Sequence, residues 1–229
     1  MKIGHVQRFS LIDYPGKICA IVFTQGCNFR CHYCHNPELV IPEQFGEPVP
    51  EDVLFSFLEK RGGKLDAVSI TGGEPTLQPG VIDFISSIKE LGFLVKIDTN
   101  GSFPNVIEEL LRLHLLDYIA MDIKAPLRKY RAVTSSTVNT HDILTSINLI
   151  KNSGTGHEFR TTVVESLLGP RDILNIANHI SGADRYVLQR FVPSKAVNPA
   201  FLTEGTLSDA LFEKLRKDLA PLFRSVILR

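Results

Sequence analysis

Read for apolar and polar positions alone, the chain alternates between two periods. Short, β-branched apolar runs occur at KICAIVFT (17–24), DAVSIT (66–71), FLVKIDT (93–99), DYIAMDIK (117–124), FRTTVVE (159–165) and RYVLQRF (185–191). Runs of this length and composition predict buried strands. Between them, apolar residues return at helical spacing over 50–61, 79–91, 104–115, 140–152 and 169–180, and a last such segment, 206–220, follows the sixth strand. The 50–61 segment has acids near its start and bases at its end, which suits the helix dipole. The last opens with a Ser or Thr cap ahead of acids.

Six β–α units with short connections imply a parallel sheet with helices outside it. Right-handed crossovers roll such a sheet into an open or partial barrel, or wind helices on both faces. The polar signals described below recur at the C-terminal ends of successive strands. That is the rim where (β/α) barrels build their sites, whereas doubly wound sheets concentrate theirs at one crevice. The expectation is an α/β fold: a partial (β/α)6 TIM-like barrel with a parallel sheet. It forms a single domain over 1–229 with a core of about 17–191. No internal repeat, low-complexity tract or linker interrupts it.

Composition narrows the classes further. With 44% hydrophobic and 22% charged residues the chain reads as globular rather than disordered. Lys plus Arg and Asp plus Glu stand at 25 each, so no bulk basic field predicts a nucleic-acid partner. The N-terminal MKIGHVQRFSLIDYPGK has no apolar core of a signal peptide. No apolar run approaches the roughly 18 residues that span a bilayer. A cytoplasmic location is expected, where thiols stay reduced and clustered cysteines favour metal or catalysis over disulfides.

The densest chemistry is GCNFRCHYCHN (26–36), with three of the four cysteines and two of the seven histidines. Cys27, Cys31 and Cys34 follow the end of the first predicted strand in a loop eased by Gly26 and Asn28. Zinc would need a fourth ligand, His32 or His35. A single nucleophilic cysteine would need only one thiol and a base. A [4Fe–4S] cluster normally takes four thiolates, so three would leave one iron open. The spacing favours the cluster, with zinc as the structural alternative. Cys19, inside the first predicted strand, reads as a buried, inert thiol.

Further signals close the next three predicted strands. In TGGEP (71–75), Gly72 and Gly73 let the backbone approach a ligand closely, and Glu74 offers an acceptor to a cationic group; a plain glycine turn is the alternative. IDTNG (97–101) and MDIK (121–124) place Asp98 and Asp122 on one rim, as an acid–base pair or an oxygen-ligand cation site completed by Thr99 and a backbone carbonyl. Ordinary capping or ion pairing is the alternative. Tyr33 and His35 flank the last cysteine, where they can meet a cofactor or pack locally.

Cys-x3-Cys-x-aromatic-Cys at the end of the first strand of a (β/α) domain resembles the signature of the radical S-adenosylmethionine (SAM) enzymes. CHYCHN resembles, more narrowly, the activating enzymes of glycyl-radical proteins. DYPGKICAIVFTQGCNFRCHYCHNPEL is most similar to activating proteins of anaerobic ribonucleotide reductases. The resemblance implies one [4Fe–4S] cluster on Cys27, Cys31 and Cys34, whose open iron chelates S-adenosylmethionine. Reductive cleavage would give methionine and a 5′-deoxyadenosyl radical. A partner glycine would then lose a hydrogen, with reduced flavodoxin or ferredoxin as electron donor. By the same resemblance Tyr33, His35, Gly72, Gly73, Glu74, Asp122 and Lys124 line the cofactor pocket, and Asp98, Thr99 and Asp122 hold a monovalent cation. Asp13 and Arg160 would lie near the partner's glycyl loop; an internal ion pair is the alternative for them. The chain departs from some relatives in having no histidine after the sixth strand, where Gln189 or Arg190 stands instead, and it lacks a ferredoxin-like cysteine block. Alternative readings are activation of pyruvate formate-lyase, a deazapurine-forming radical synthase, and a zinc-stabilised binding module.

Overall fold

The sheet begins one strand earlier and ends one strand later than the apolar runs predict. In a computed structural model that describes residues 1–229, eight strands hydrogen-bond in chain order. They are β1 (Ile3–Ser10), β2 (Cys19–Thr24), β3 (Ala67–Gly72), β4 (Leu94–Thr99), β5 (Tyr118–Asp122), β6 (Gly156–Val163), β7 (Arg185–Arg190) and β8 (Ser225–Leu228). β1 pairs antiparallel with β2, and every later pair is parallel. β1 and β8 do not meet, so the sheet curls as a partial barrel and stays open. The six predicted strands are β2 to β7.

The helices are α1 (Pro37–Val40), α2 (Glu51–Glu59), α3 (Val81–Glu90), α4 (Pro104–Arg112), α5 (Tyr130–Thr134), α6 (Thr140–Asn152), α7 (Pro170–Ile180) and α8 (Asp209–Leu219). Their starts follow local chemistry. Asn139 accepts from the His141 N–H at 3.2 Å ahead of α6, and Ser208 accepts from the Leu211 N–H at 3.4 Å ahead of α8. No helix is long and apolar enough to cross a membrane.

Side chains alternate across the strands, and the two faces differ. Val22, Val68, Ile70, Val95, Ile97, Ile119, Met121 and Phe159 face the helices and join one core with Leu54, Phe84, Ile85, Ile107, Ile147 and Ile176. Fully burying each large apolar side chain stabilises by about 1.5–3 kcal/mol. The other, concave face carries Ser69, Lys96, Asp98, Tyr118, Asp122, Glu158 and Arg160, placed side by side by the strand register. Its base is closed by Tyr14, Cys19, Ile21 and Ala67, a small apolar cluster against Tyr118.

Candidate functional site

At the C-terminal ends of β2 to β7 the concave face opens into a cavity of about 280 Å³. Loops leaving four strands build it. The cysteine loop follows β2, and the segment after β3 is fastened directly to it. Gly73 N–H donates to Thr24 O and Glu74 N–H to Gly26 O, both at 2.8 Å. A Cβ on Gly73 would lie 2.0 Å from Gly26 O, and one on Gly72 (φ +113°) would lie 2.4 Å from Thr24 N. Both positions therefore require glycine. The close approach is of backbone to backbone, which shapes the cavity wall from behind.

Cys27, Cys31 and Cys34 all line the cavity. Burial pushes the Cys27 thiol up to about 12 and Cys31 to about 11, and raises Cys34 as well. No group of three or more His, Cys, Asp or Glu side chains is gathered as a single ion requires. Three thiolates bound to separate irons of a cluster are not so constrained. His32 lies 3.1 Å from Ser135 Oγ and packs on Phe201, whereas His35 lines the cavity with its ring 5.3 Å from Phe191. Burial lowers the His35 pKa.

Tyr33 is buried beside the cysteines, with its ring 6.3 Å from that of Phe191. Its hydroxyl has no hydrogen-bond partner. A buried polar group left unpaired costs about 1–3 kcal/mol, so an orphaned hydroxyl in a cavity wall fits a site that expects a polar ligand.

Glu74 is fully buried and makes a lock between loops. Its carboxylate accepts from Thr76 N–H at 3.0 Å, Thr99 Oγ1 at 2.7 Å and Asn100 N–H at 2.6 Å, and from the Thr76 hydroxyl. Burial outweighs these bonds and raises its pKa. Asn100, which sequence reasoning did not single out, also bonds Asn28 at 2.9 Å and lies 3.9 Å from Cys27 Sγ. Its signal was its place in DTNG, directly after Asp98 and Thr99.

Asp98 and Asp122 do meet on one rim, as expected. Arg160 stands between them, with Nη1 3.1 Å from Asp98 and Nε 2.8 Å from Asp122. Lys124 Nζ lies 3.1 Å from Asp122, and Lys96 Nζ bonds Asp98. Burial alone would raise both carboxyls, but Arg160 and the two lysines outweigh it and hold them below the usual carboxylate range. Arg160 thus follows its ion-pair alternative. Asp13 does not join it. Register places Ser10 beside Cys19 at the start of β2, so the β1–β2 connection sits at the opposite end of the sheet from the cysteine loop. There Asp13 accepts from Ser10 Oγ. The two residues form no clamp on one spot. Of the two candidates on β7, Gln189 lines the cavity, while Arg190 turns away to Asp209 at 2.9 Å and the Phe212 ring.

The family described as the radical SAM superfamily matches residues 21–178. A Methanocaldococcus jannaschii protein named as a glycyl-radical enzyme activating enzyme is 40% identical over 87% of this chain and 83% of its own. The pyruvate formate-lyase-activating enzyme of Clostridium pasteurianum is 31% identical over 82% and 80%. Among solved structures, Streptococcus suis SuiB bound to S-adenosylmethionine has the same fold (TM-score 0.70, 14% identity), covering 91% of this chain and 49% of that one. The chain spans about half the length of that protein. A domain of pyruvate formate-lyase-activating enzyme from Bacteroides vulgatus aligns with TM-score 0.58 and 16% identity, over 71% of this chain and 98% of that one. The zinc-stabilised module gives way to this match, and the chain belongs to the radical SAM superfamily, among the activating enzymes of glycyl-radical enzymes.

Proposed function

We propose that this chain installs a glycyl radical on an anaerobic ribonucleoside-triphosphate reductase. The observation that carries the chemistry is the single cavity shared by Cys27, Cys31, Cys34, the Gly72–Glu74 segment, Asp122 and Lys124. Membership of the superfamily implies a [4Fe–4S] cluster and S-adenosylmethionine, which when bound supply the reductive cleavage and the hydrogen-abstracting radical.

The chain's own residues bind and orient. The three thiolates would hold the cluster and, with no fourth cysteine in the cavity, leave one iron for the cofactor. Tyr33 would pair its orphaned hydroxyl with the cofactor and His35 would pack beside it. Gly72 and Gly73 shape the wall, and Glu74 holds the loops that carry Asn100 and Thr99 in place. Lys124 is the charge partner for the methionine carboxylate, anchored by Asp122. The partner's glycine-bearing segment would enter the open rim of the cavity on the side of Arg160, while Asp13, at the other end of the sheet, takes no part. A reduced flavodoxin or ferredoxin is the proposed electron donor, and the cytoplasm the proposed location.

The choice of partner rests on the resemblance of residues 13–39. Pyruvate formate-lyase is the second reading, favoured by the similarity to the Clostridium pasteurianum enzyme. The test is anaerobic reconstitution with iron and sulfide, reduction, and addition of S-adenosylmethionine, with Cys27→Ala alongside. We expect 5′-deoxyadenosine from the wild type and background from the variant. Electron paramagnetic resonance then reads the glycyl radical on each candidate partner. Cofactor cleavage with a radical on the lyase alone overturns the first partner. A protein that makes no 5′-deoxyadenosine overturns the whole reading.

A further inference from the structure

A cation held by Asp98, Thr99 and Asp122 would have to share carboxylate oxygens that already face positively charged side chains of the chain itself. Asp98 bonds Lys96 Nζ through Oδ1, and its Oδ2 lies 3.1 Å from Arg160 Nη1. Asp122 meets Arg160 Nε at 2.8 Å through Oδ1 and Lys124 Nζ at 3.1 Å through Oδ2. All four carboxylate oxygens thus have their own cationic donor. The Thr99 hydroxyl donates to Glu74 at 2.7 Å and accepts from Gly101 N–H at 3.1 Å. A further cation here would be repelled by Lys96, Lys124 and Arg160, so these side chains fit a bound monovalent cation poorly.

Lys96 is the unusual member of this set. It lies within β4, with Ser69 and Tyr118 opposite it in register, and only 3% of it is exposed. A lysine is rarely buried unless paired. Being two residues before Asp98 puts both side chains on the concave face. The layer then holds three cations (Lys96, Lys124, Arg160) against two anions (Asp98, Asp122). One positive charge is left over. Glu74 above has no cationic partner of its own, and Glu158 below has Arg185 at 3.6 Å and Arg229 at 3.4 Å.

We infer that Lys96 is a built-in counter-ion that takes the place of a bound monovalent cation beside the S-adenosylmethionine carboxylate. This rests on the cofactor-binding reading of the cavity. With Lys96 present, the spare positive charge of the layer is matched by the incoming carboxylate. Without it, the five-membered set falls to neutral, and a carboxylate would enter with no net attraction. A small cation would then be needed to restore the balance. Lys96 acts through Asp98 and Arg160, so it is a positioning residue.

The test uses cluster-loaded enzyme in sodium, potassium or choline chloride at equal ionic strength, with wild type, Lys96→Met and Lys96→Arg. S-adenosylmethionine affinity is measured by calorimetry, and sodium binding by ²³Na line width. The wild type is expected to change affinity less than about twofold among the salts and to broaden no sodium signal. Lys96→Met should lose about tenfold in choline and recover most of it in sodium or potassium, with saturable sodium broadening. Lys96→Arg should behave as wild type. A wild type whose affinity rises about tenfold and saturably with sodium or potassium would overturn the inference, whether or not Lys96→Met folds. So would a Lys96→Met that no cation rescues. Absence of cofactor binding in every salt would instead sink the cofactor-binding reading, and this inference with it.

Discussion

Ile97 and Asp98 are neighbours on β4 and serve opposite ends. Ile97 points to the helices and is wholly buried in the main core, while Asp98 points to the concave face and lines the cavity. The same division runs along β3 and β5: Val68 and Ile70 against Ser69, Ile119 and Met121 against Ala120 and Asp122. One face holds the fold through area removed from water. The other spends its positions on charges held by geometry. A period-2 strand lets both jobs proceed without interference. Chemistry can therefore vary on the concave side while the helical side keeps its packing.

The largest expected effect breaks the convex side. Ile97→Ala should cost about 2–5 kcal/mol, because it leaves a cavity among helices that relax only partly. For a domain of this size that lowers Tm by roughly 5–15 °C. Thermal melts of the cluster-loaded protein would read it, and S-adenosylmethionine affinity at 10 °C should stay within about twofold of wild type. A Tm drop with a large loss of affinity would show that the two faces are coupled.

A smaller effect is expected on the concave side, with a pH signature that the convex change lacks. Arg160→Met removes the cation shared by Asp98 and Asp122. Both carboxyls lie below their usual range in the folded chain, despite burial, because of Arg160 and the lysines. A depressed carboxyl contributes stability that is fully present above its unfolded value near 4 and is lost as pH falls through the lower folded value. The variant should lose about 1–3 kcal/mol at pH 7, less than a fully enclosed pair, since Asp122 is 26% exposed. That deficit should shrink as pH falls below about 4, because protonated carboxyls no longer need the guanidinium. Denaturant melts at pH 7 and pH 3 would measure it. A deficit equal at both values would mean Arg160 acts by packing, as Ile97 does.

The difference between the faces also explains what was legible in the sequence. β2 to β7 announce themselves as apolar runs because the helical side of each strand is buried. β1 shows no such run because Ile3–Ser10 is a half-exposed edge strand carrying His5, Gln7 and Arg8, and β8 none because it is only four residues long at the other edge. β6 begins three residues before its apolar run. Its His157 and Glu158 look like loop residues, yet Glu158 is buried and held by Tyr118 at 3.2 Å and by two arginines. The cysteine loop was legible because its ligands are local in sequence. The ion network was not. Asp98 and Arg160 lie 62 residues apart and meet only through strand order and register. Lys96 was a readable clue, a lysine inside an apolar strand two residues from an aspartate. Thr99 adjoins Asp98 in sequence, but alternation turns its hydroxyl to Glu74.

The smallest expected effect sharpens the comparison by moving the same chemistry to open solvent. Lys195 and Glu38 form a bond of 3.0 Å, as short as those in the concave layer, but their side chains are 62% and 44% exposed. Water competes for both partners there, and ordering two long side chains has an entropic cost. Lys195→Ala should therefore change stability by less than about 0.5 kcal/mol, and by less still in ~0.5 M salt, where the Debye length is only a few ångströms. Denaturant melts at low and high salt would measure it beside Arg160→Met. Equal losses from the two variants would mean that burial adds nothing to a charge pair in this chain, and that the concave layer is no more than a surface turned inward. The expected gap between them is the contribution of the curled sheet, which holds Arg160 between two aspartates before any ligand arrives.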